Sequence, residues 1–339
     1  MSSLVRCVLL RLGLLAVEEE KTPKHFLDLP YDIILLILDC LALHDQFRLS
    51  HTCRAIQNIA SRDWEQELQR CTKSERVEFW TGLAYTMPRH WVCAECCKLH
   101  IINPVDTPTK ARIWPCGIPL NWTMDRYLLL HQHVQLALKF SYLGVNQEHL
   151  ARMLATCTIR SRATSGPIPT TIFYTVRPKI IRKHFCLFKT WVFTNPRDPV
   201  SLDDMGDYAL LPCPHLTLPD KEDDFLVRRG IIYGAFKNKA TLAMAFPGRE
   251  MHGSCRSCPT DFSFLVDPTL RQVTCKAWYD FGTYGSPLDR YWTSQVMTDK
   301  NDYMSALLFD REPGSSRALY LSSEPLEPVV LAESGGATV

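Results

Sequence analysis

The chain has 339 residues, enough for about two domains, and its 46% hydrophobic and 22% charged residues are those of an ordinary globular protein. Its formal net charge is +2 and the basic residues are spread along the chain, which argues against a nucleic-acid binder built on a basic stripe. No run reaches ~18 uncharged apolar residues, so no membrane span is expected.

In chain order, residues 1–22 open with an apolar stretch that Arg6 and Arg11 interrupt and Glu18, Glu19 and Glu20 follow. No small-x-small cleavage pattern closes it, so it reads as a flexible segment rather than a secretion signal. Residues 23–70 read as a bundle of short helices. On a helical wheel, Asp32 and Asp39 share one narrow stripe of Pro30–Leu41. Tyr31, Ile33, Ile34, Leu35, Leu36, Ile37, Leu38, Cys40 and Leu41 cover nearly everything else. A helix ordinarily buries one stripe, and a bundle of about 45 residues cannot cover every face of this one. The bundle core and a partner must share it. A second helix forms around Phe47 and Leu49. Thr52 is placed to cap a third, which carries Cys53, Ile56, Ile59 and Ala60 on one face. Trp64 and Leu68 then mark a continuation.

The stretch His90–His100 breaks the helical pattern, and a Pro-rich loop runs from Asn103 to Pro119. A long helix is expected from about Met124 to Tyr142, with Gly144 as its stop and Asn146 capping a partner helix. Beyond a Ser/Thr/Pro loop the texture turns to strands. TTIFYTVRPKI and HFCLFKTWVF are rich in β-branched and aromatic residues. ALLPCPHLTL, broken by Pro212 and Pro214, reads as an edge or bent strand. GIIYGAF, DFSFLV and RQVTCKAWYDFG supply three more. Residues 71–310 therefore read as a helix-plus-antiparallel-sheet domain, giving an α+β chain, and 311–339 as a disordered tail. Trp191, Trp278 and Trp292 stand at strand-like positions among tyrosines and are assigned to the core rather than to a ligand platform.

Leu29, Pro30, Asp32, Ile33, Ile37 and Leu41, followed by Leu49, Ser50, Thr52, Cys53 and Arg54, resemble the F-box signature, with Asp32 where Glu is more common. Downstream, HVQLALKFSYLG, RPKIIRKHFCLFKTWVF, LLPCPHLTL and SCPTDFSF with CKAWYDFGTYGSPLDRYW are similar to blocks of a large group of fungal F-box proteins. The resemblance implies a substrate adaptor of an SCF-type cullin–RING ubiquitin ligase. It would dock on the Skp-type linker, which joins a cullin, and bind a target protein whose identity the sequence does not disclose. The residues expected at the linker are Leu29, Pro30, Ile33, Ile37 and Leu41, with Phe47, Leu49 and Ile56 adding contacts. Such an adaptor has no catalytic residues, no nucleic-acid or membrane partner, and works inside the cell in cytoplasm or nucleus. Two alternatives stand beside it: an F-box protein acting outside ubiquitin transfer, and a zinc enzyme whose likeness is incidental.

The fourteen cysteines include two C-x-x-C pairs, Cys93/Cys96 and Cys255/Cys258. That spacing lets two thiolates reach one metal from a tight turn. The two pairs lie too far apart in sequence for a compact ribbon, so a shared structural zinc needs the fold to join them. Such a zinc would take those four sulfurs, with Cys213 or His215 as substitutes. The plain alternative is a set of buried free cysteines that pack as small hydrophobes. A redox role for Cys93/Cys96 needs a preceding strand and a helix N-terminus, and the upstream TMPRH is a poor strand.

Overall fold

The computed structural model describes residues 26–111, 127–163, 170–202, 205, 212–216, 234–296 and 309–322. The expected segment 1–22, the Ser/Thr/Pro loop over 164–169 and the tail beyond Ser322 lie outside them. The contacts divide the chain into two compact units. One holds the residues up to Asn103 together with Ser286–Leu288, and the other holds most of the remainder. Among the described residues no helix is long and apolar enough to cross a membrane.

In the first unit a short 3-10 turn leads into α1 (Tyr31–Asp39), α2 (Leu43–Ser50), α3 (Arg54–Ile59), α4 (Trp64–Arg70) and α5 (Lys73–Ala84). A hairpin of β1 (His90–Cys93) and β2 (Lys98–Ile101) follows. Cys53, not Thr52, occupies the N-cap of α3, because the Thr52 hydroxyl instead donates to Leu49 O at 2.7 Å. Asp63 caps α4, and Thr72 with Glu75 forms a reciprocal capping box on α5. The boundary expected at Cys71 is corrected: α5 and the hairpin belong with the preceding helices. The reason is contact between α2 and α5. Phe47 meets Phe79 edge-on, and Arg48 donates to the carbonyls of Gly82 and Leu83 at the α5 C-terminus. Gly82 is required there, since a Cβ would stand 2.1 Å from the His44 ring.

The second unit contains a six-stranded antiparallel sheet. Its strands are β3 (Cys157–Ala163), β4 (Thr170–Ile181), β5 (His184–Thr194), β6 (Met251–Ser254), β7 (Thr260–Val266) and β8 (Gln272–Asp280), in the order β3-β4-β5-β8-β7-β6. Register aligns Tyr174, Trp191, Cys275 and Phe264 across four strands, all buried. The hairpin from β4 to β5 turns on Arg182 and Lys183, whose positive φ values of 49° and 69° suit a two-residue type I′ turn. The helices are α6 (His131–Leu143), α7 (Gln147–Met153), α8 (Gly234–Ala245), the short α9 (Arg290–Thr293) and α10 (Ser315–Leu321). Helix α6 starts at His131 rather than near Met124 and stops at Gly144, which is left-handed as a helix stop requires. Trp191, Trp278 and Trp292 are all buried.

Three expectations are corrected. The end of GIIYGAF, Gly234–Phe236, opens helix α8 instead of ending a strand, and Phe236 packs on Phe262 and Phe264 of β7. Of ALLPCPHLTL, the described part is a tight turn closed by a Cys213–Leu216 bridge, because Pro214 cannot continue a ladder. The tail does not begin at Arg311. Residues 311–322 include α10, whose Tyr320 joins a cluster with Ile181, Cys186 and Trp278. The Arg311 guanidinium reaches Asp261 at 2.8 Å with both side chains buried.

Removing one partner of a buried ion pair leaves the other uncompensated, so Arg311→Ala is expected to cost about 3–5 kcal/mol in denaturant unfolding of the second unit. Truncation after Phe309 should cost at least as much, and an unchanged melting temperature would contradict the docking of α10. His184 supplies a pH test. Its Nδ1 lies 2.9 Å from Asp280 Oδ1, and this hydrogen bond raises the imidazole pKa against the opposing effect of burial. A raised folded-state pKa contributes stability below the ordinary imidazole value and loses it as pH rises through the shifted one. His184→Asn should therefore destabilise more at about pH 5.5 than at about pH 8.5.

Candidate functional site

The apolar helix singled out by sequence is α1, and its surfaces now separate. Ile34, Ile37 and Leu38 form the buried arc. Ile34 and Leu38 pack with Ala60, and Phe26, Leu29, Leu35, Leu41, Leu49 and Ile59 close around them, partly buried. Ile33 is half-buried and Pro30 exposed. Of the residues expected at the linker, Ile37 is 5% exposed and Ile56 3%, so both are buried within the chain itself. Phe47 is half-buried and wedged edge-on against Trp64 and Phe79.

Side chains that sequence reasoning passed over are the ones left open. Tyr31 is 57% exposed, Leu36 47%, and Leu27 is exposed too. Leu36 stands between Asp32 and Asp39 on the wheel, four residues from one and three from the other. A leucine on the helix's only charged stripe was the available signal. The outward arc of α1 thus mixes two carboxylates with exposed Leu36 and Cys40.

The metal-ligand candidates fall into two groups, and the expected four-sulfur set is not the one assembled. Cys93 and Cys96 gather with His100, in the first unit. Cys255 and Cys258 gather with Cys213 and His215, in the second. Each pair sits on its own hairpin and finds donors close to it. Cys93 closes β1 and Cys96 lies in the turn to β2, where its sulfur is 3.1 Å from His100 Nε2. That turn is no helix N-terminus, so the geometry a redox pair needs is missing there. The His100 ring stacks on Trp91, and burial lowers its pKa, assisted by Lys98.

The second group is more enclosed. Cys255–Pro259 form the loop between β6 and β7, where Ser254 pairs with Asp261. The loop is tightened by Cys255 N–H donating to Thr260 O and Thr260 N–H donating to Cys258 O, both at 2.8 Å. Ser257 N–H points at Cys255 Sγ (3.4 Å), and Cys258 Sγ lies 3.2 Å from Thr260 Oγ1. From the other side comes the Cys213–Leu216 turn, with Leu216 N–H donating to Cys213 O. All three cysteines are buried, and His215 Nδ1 is buried with no hydrogen-bond partner. Burial pushes the Cys213 and Cys258 thiols well above their usual pKa, whereas hydrogen bonds from Cys213 and then Cys258 hold Cys255 well below it.

The family model of the F-box domain matches residues 26–65, the segment from the 3-10 turn into α4. The chain is an F-box domain-containing protein. Neither a curated protein nor a solved structure matches it. An F-box domain suggests, in general terms, an adaptor of an SCF-type ligase, and F-box domains generally bind a Skp-type linker. F-box proteins are generally adaptors rather than enzymes.

The burial pattern of this F-box is directly testable in the chain by itself. Ile37→Ala should destabilise the first unit by about 2–4 kcal/mol, as a large-to-small core change does. Leu36→Ala should stay within about 0.5 kcal/mol, as exposed substitutions do. Chemical denaturation followed by tryptophan fluorescence distinguishes them.

Proposed function

We propose that this F-box protein is the substrate-recognition adaptor of an SCF-type cullin–RING ubiquitin ligase, with the F-box on the Skp-type linker and the second unit holding a target protein. The observation that carries the reading is the F-box itself, on a helix whose inner arc is filled while Tyr31 and Leu36 stay open to solvent. Leu29, Pro30, Ile33, Leu41, Phe47 and Leu49 are proposed to border the linker contact, with Leu27, Tyr31 and Leu36 at its exposed part. Ile37 and Ile56 act only through the fold. The chain makes and breaks no bond in this reading. It works by proximity, holding a target beside the ligase's ubiquitin-loaded partner so that a bimolecular step becomes effectively unimolecular. The place of action is the cytoplasm or nucleus, where linker and cullin reside.

Full-length protein co-expressed with the Skp-type linker should capture it, and cullin should follow the linker. Truncating a buried interface anchor commonly costs more than about 1 kcal/mol. The double variant Tyr31→Ala/Leu36→Ala should therefore weaken capture by about tenfold or more, while its denaturation profile stays that of the parent. Undiminished capture by the folded double variant would defeat the docking assignment. Linker without cullin would place the protein outside ubiquitin transfer.

A further inference from the structure

We propose that Cys213, His215, Cys255 and Cys258 hold a structural zinc ion. The inference is independent of the adaptor reading and rests on the donor set. One ligand atom from each of the four residues lies within 4.8 Å of the other three. A tetrahedron with zinc–sulfur bonds of about 2.3 Å has edges of about 3.8 Å, so the four donors need to close by no more than about an ångström around an ion. Three thiolates with one imidazole select a borderline-soft tetrahedral ion over calcium or magnesium, which take oxygen ligands. Four protein ligands fill the coordination sphere, leaving no open position for a reacting water, which makes the site structural rather than catalytic.

The surroundings are those of ligands rather than of packing cysteines. Each donor pair comes from a tight turn: Cys-Pro-His before the bridge at Leu216, and Cys-x-x-Cys in the loop between β6 and β7. Ser257 N–H is aimed at Cys255 Sγ, and the Thr260 hydroxyl lies beside Cys258 Sγ. Such outer contacts orient thiolates and support their charge. The His215 Nδ1 is buried without a hydrogen-bond partner among the described residues, and buried polar atoms ordinarily find partners. On binding, the protons that the cysteine sulfurs still carry pass to solvent as they take the ion, with no change of oxidation state. The ion would staple the Cys213–Leu216 turn to the loop between β6 and β7.

The test measures zinc by elemental analysis in full-length protein dialysed free of loose metal. The wild type should carry at least one equivalent. Cys258→Ser should lose one equivalent relative to it, His215→Cys should keep it, and Cys96→Ser should retain the equivalent that Cys258→Ser loses. A zinc-free folded wild type, an undiminished content in Cys258→Ser, or a disulfide among Cys213, Cys255 and Cys258 would each overturn the site. Should Cys258→Ser fail to fold, zinc-edge X-ray absorption on the wild type still decides. Sulfur at about 2.3 Å with nitrogen at about 2.0–2.1 Å supports the site, and a shell of oxygen and nitrogen alone overturns it.

Discussion

Asp261 is a side chain 1% exposed on β7, and one short stretch near the end of the described chain supplies the donors that meet its oxygens. A buried carboxylate without partners is untenable, so its oxygens must be met. Arg311 Nη2 and the backbone N–H groups of Gly314 and Arg317 meet them, at 2.8, 3.1 and 2.9 Å. The same guanidinium also donates to Thr260 O. Because these donors come from one short stretch, satisfying the charge fixes α10 against the sheet. Ser316 then donates to Pro259 O and Phe309 N–H to Arg256 O, so the loop carrying Cys255 and Cys258 is held from the C-terminal side. One side-chain charge thereby sets both the course of the chain near its end and the placement of two metal-ligand candidates.

The parts of the fold legible in the sequence are those whose physics is local. The F-box helices follow from 3.6-residue apolar periodicity, and the F-box signature spacing singled them out. β4, β5, β7 and β8 follow from runs of β-branched and aromatic residues. Helix α8 was read wrongly because its first residues, Gly234-Ala-Phe236, close a strand-like apolar run, whereas burial of Phe236 against Phe262 and Phe264 settles the segment as helix. Helix α10 was missed for the opposite reason. Its stretch is short, and what orders it lies far away in the sequence: Asp261, which Arg311 and two backbone N–H groups meet, and the cluster of Ile181, Cys186 and Trp278 that Tyr320 joins.

The candidate sites show the same division. Pair spacing identified Cys255 and Cys258, and the CPH stretch stood out as a source of donors. Which donors share a centre depends on tertiary placement: Cys93 and Cys96 have their own histidine four residues past the second cysteine, and that local offer was enough to separate the groups. In the F-box, periodicity could say that α1 had more apolar surface than its bundle needs. It could not say which residues were surplus. Tertiary packing buries Ile37 and Ile56 and leaves Leu36 outside.

The borders of the β-sheet bear on whether copies of the chain could pair edge to edge. An antiparallel sheet that does not close on itself presents two rows of unpaired backbone groups, each a template for another strand. Here β6 offers only four residues, too few to nucleate a stable pairing, and Gly253 lies beneath the Phe262 ring. The other border, β3, is longer, but Arg160 and Arg162 project from it into solvent with Thr158, so a second copy would bring like charges together. Among the described residues, both borders of the sheet thus carry features that disfavour edge-to-edge pairing of copies.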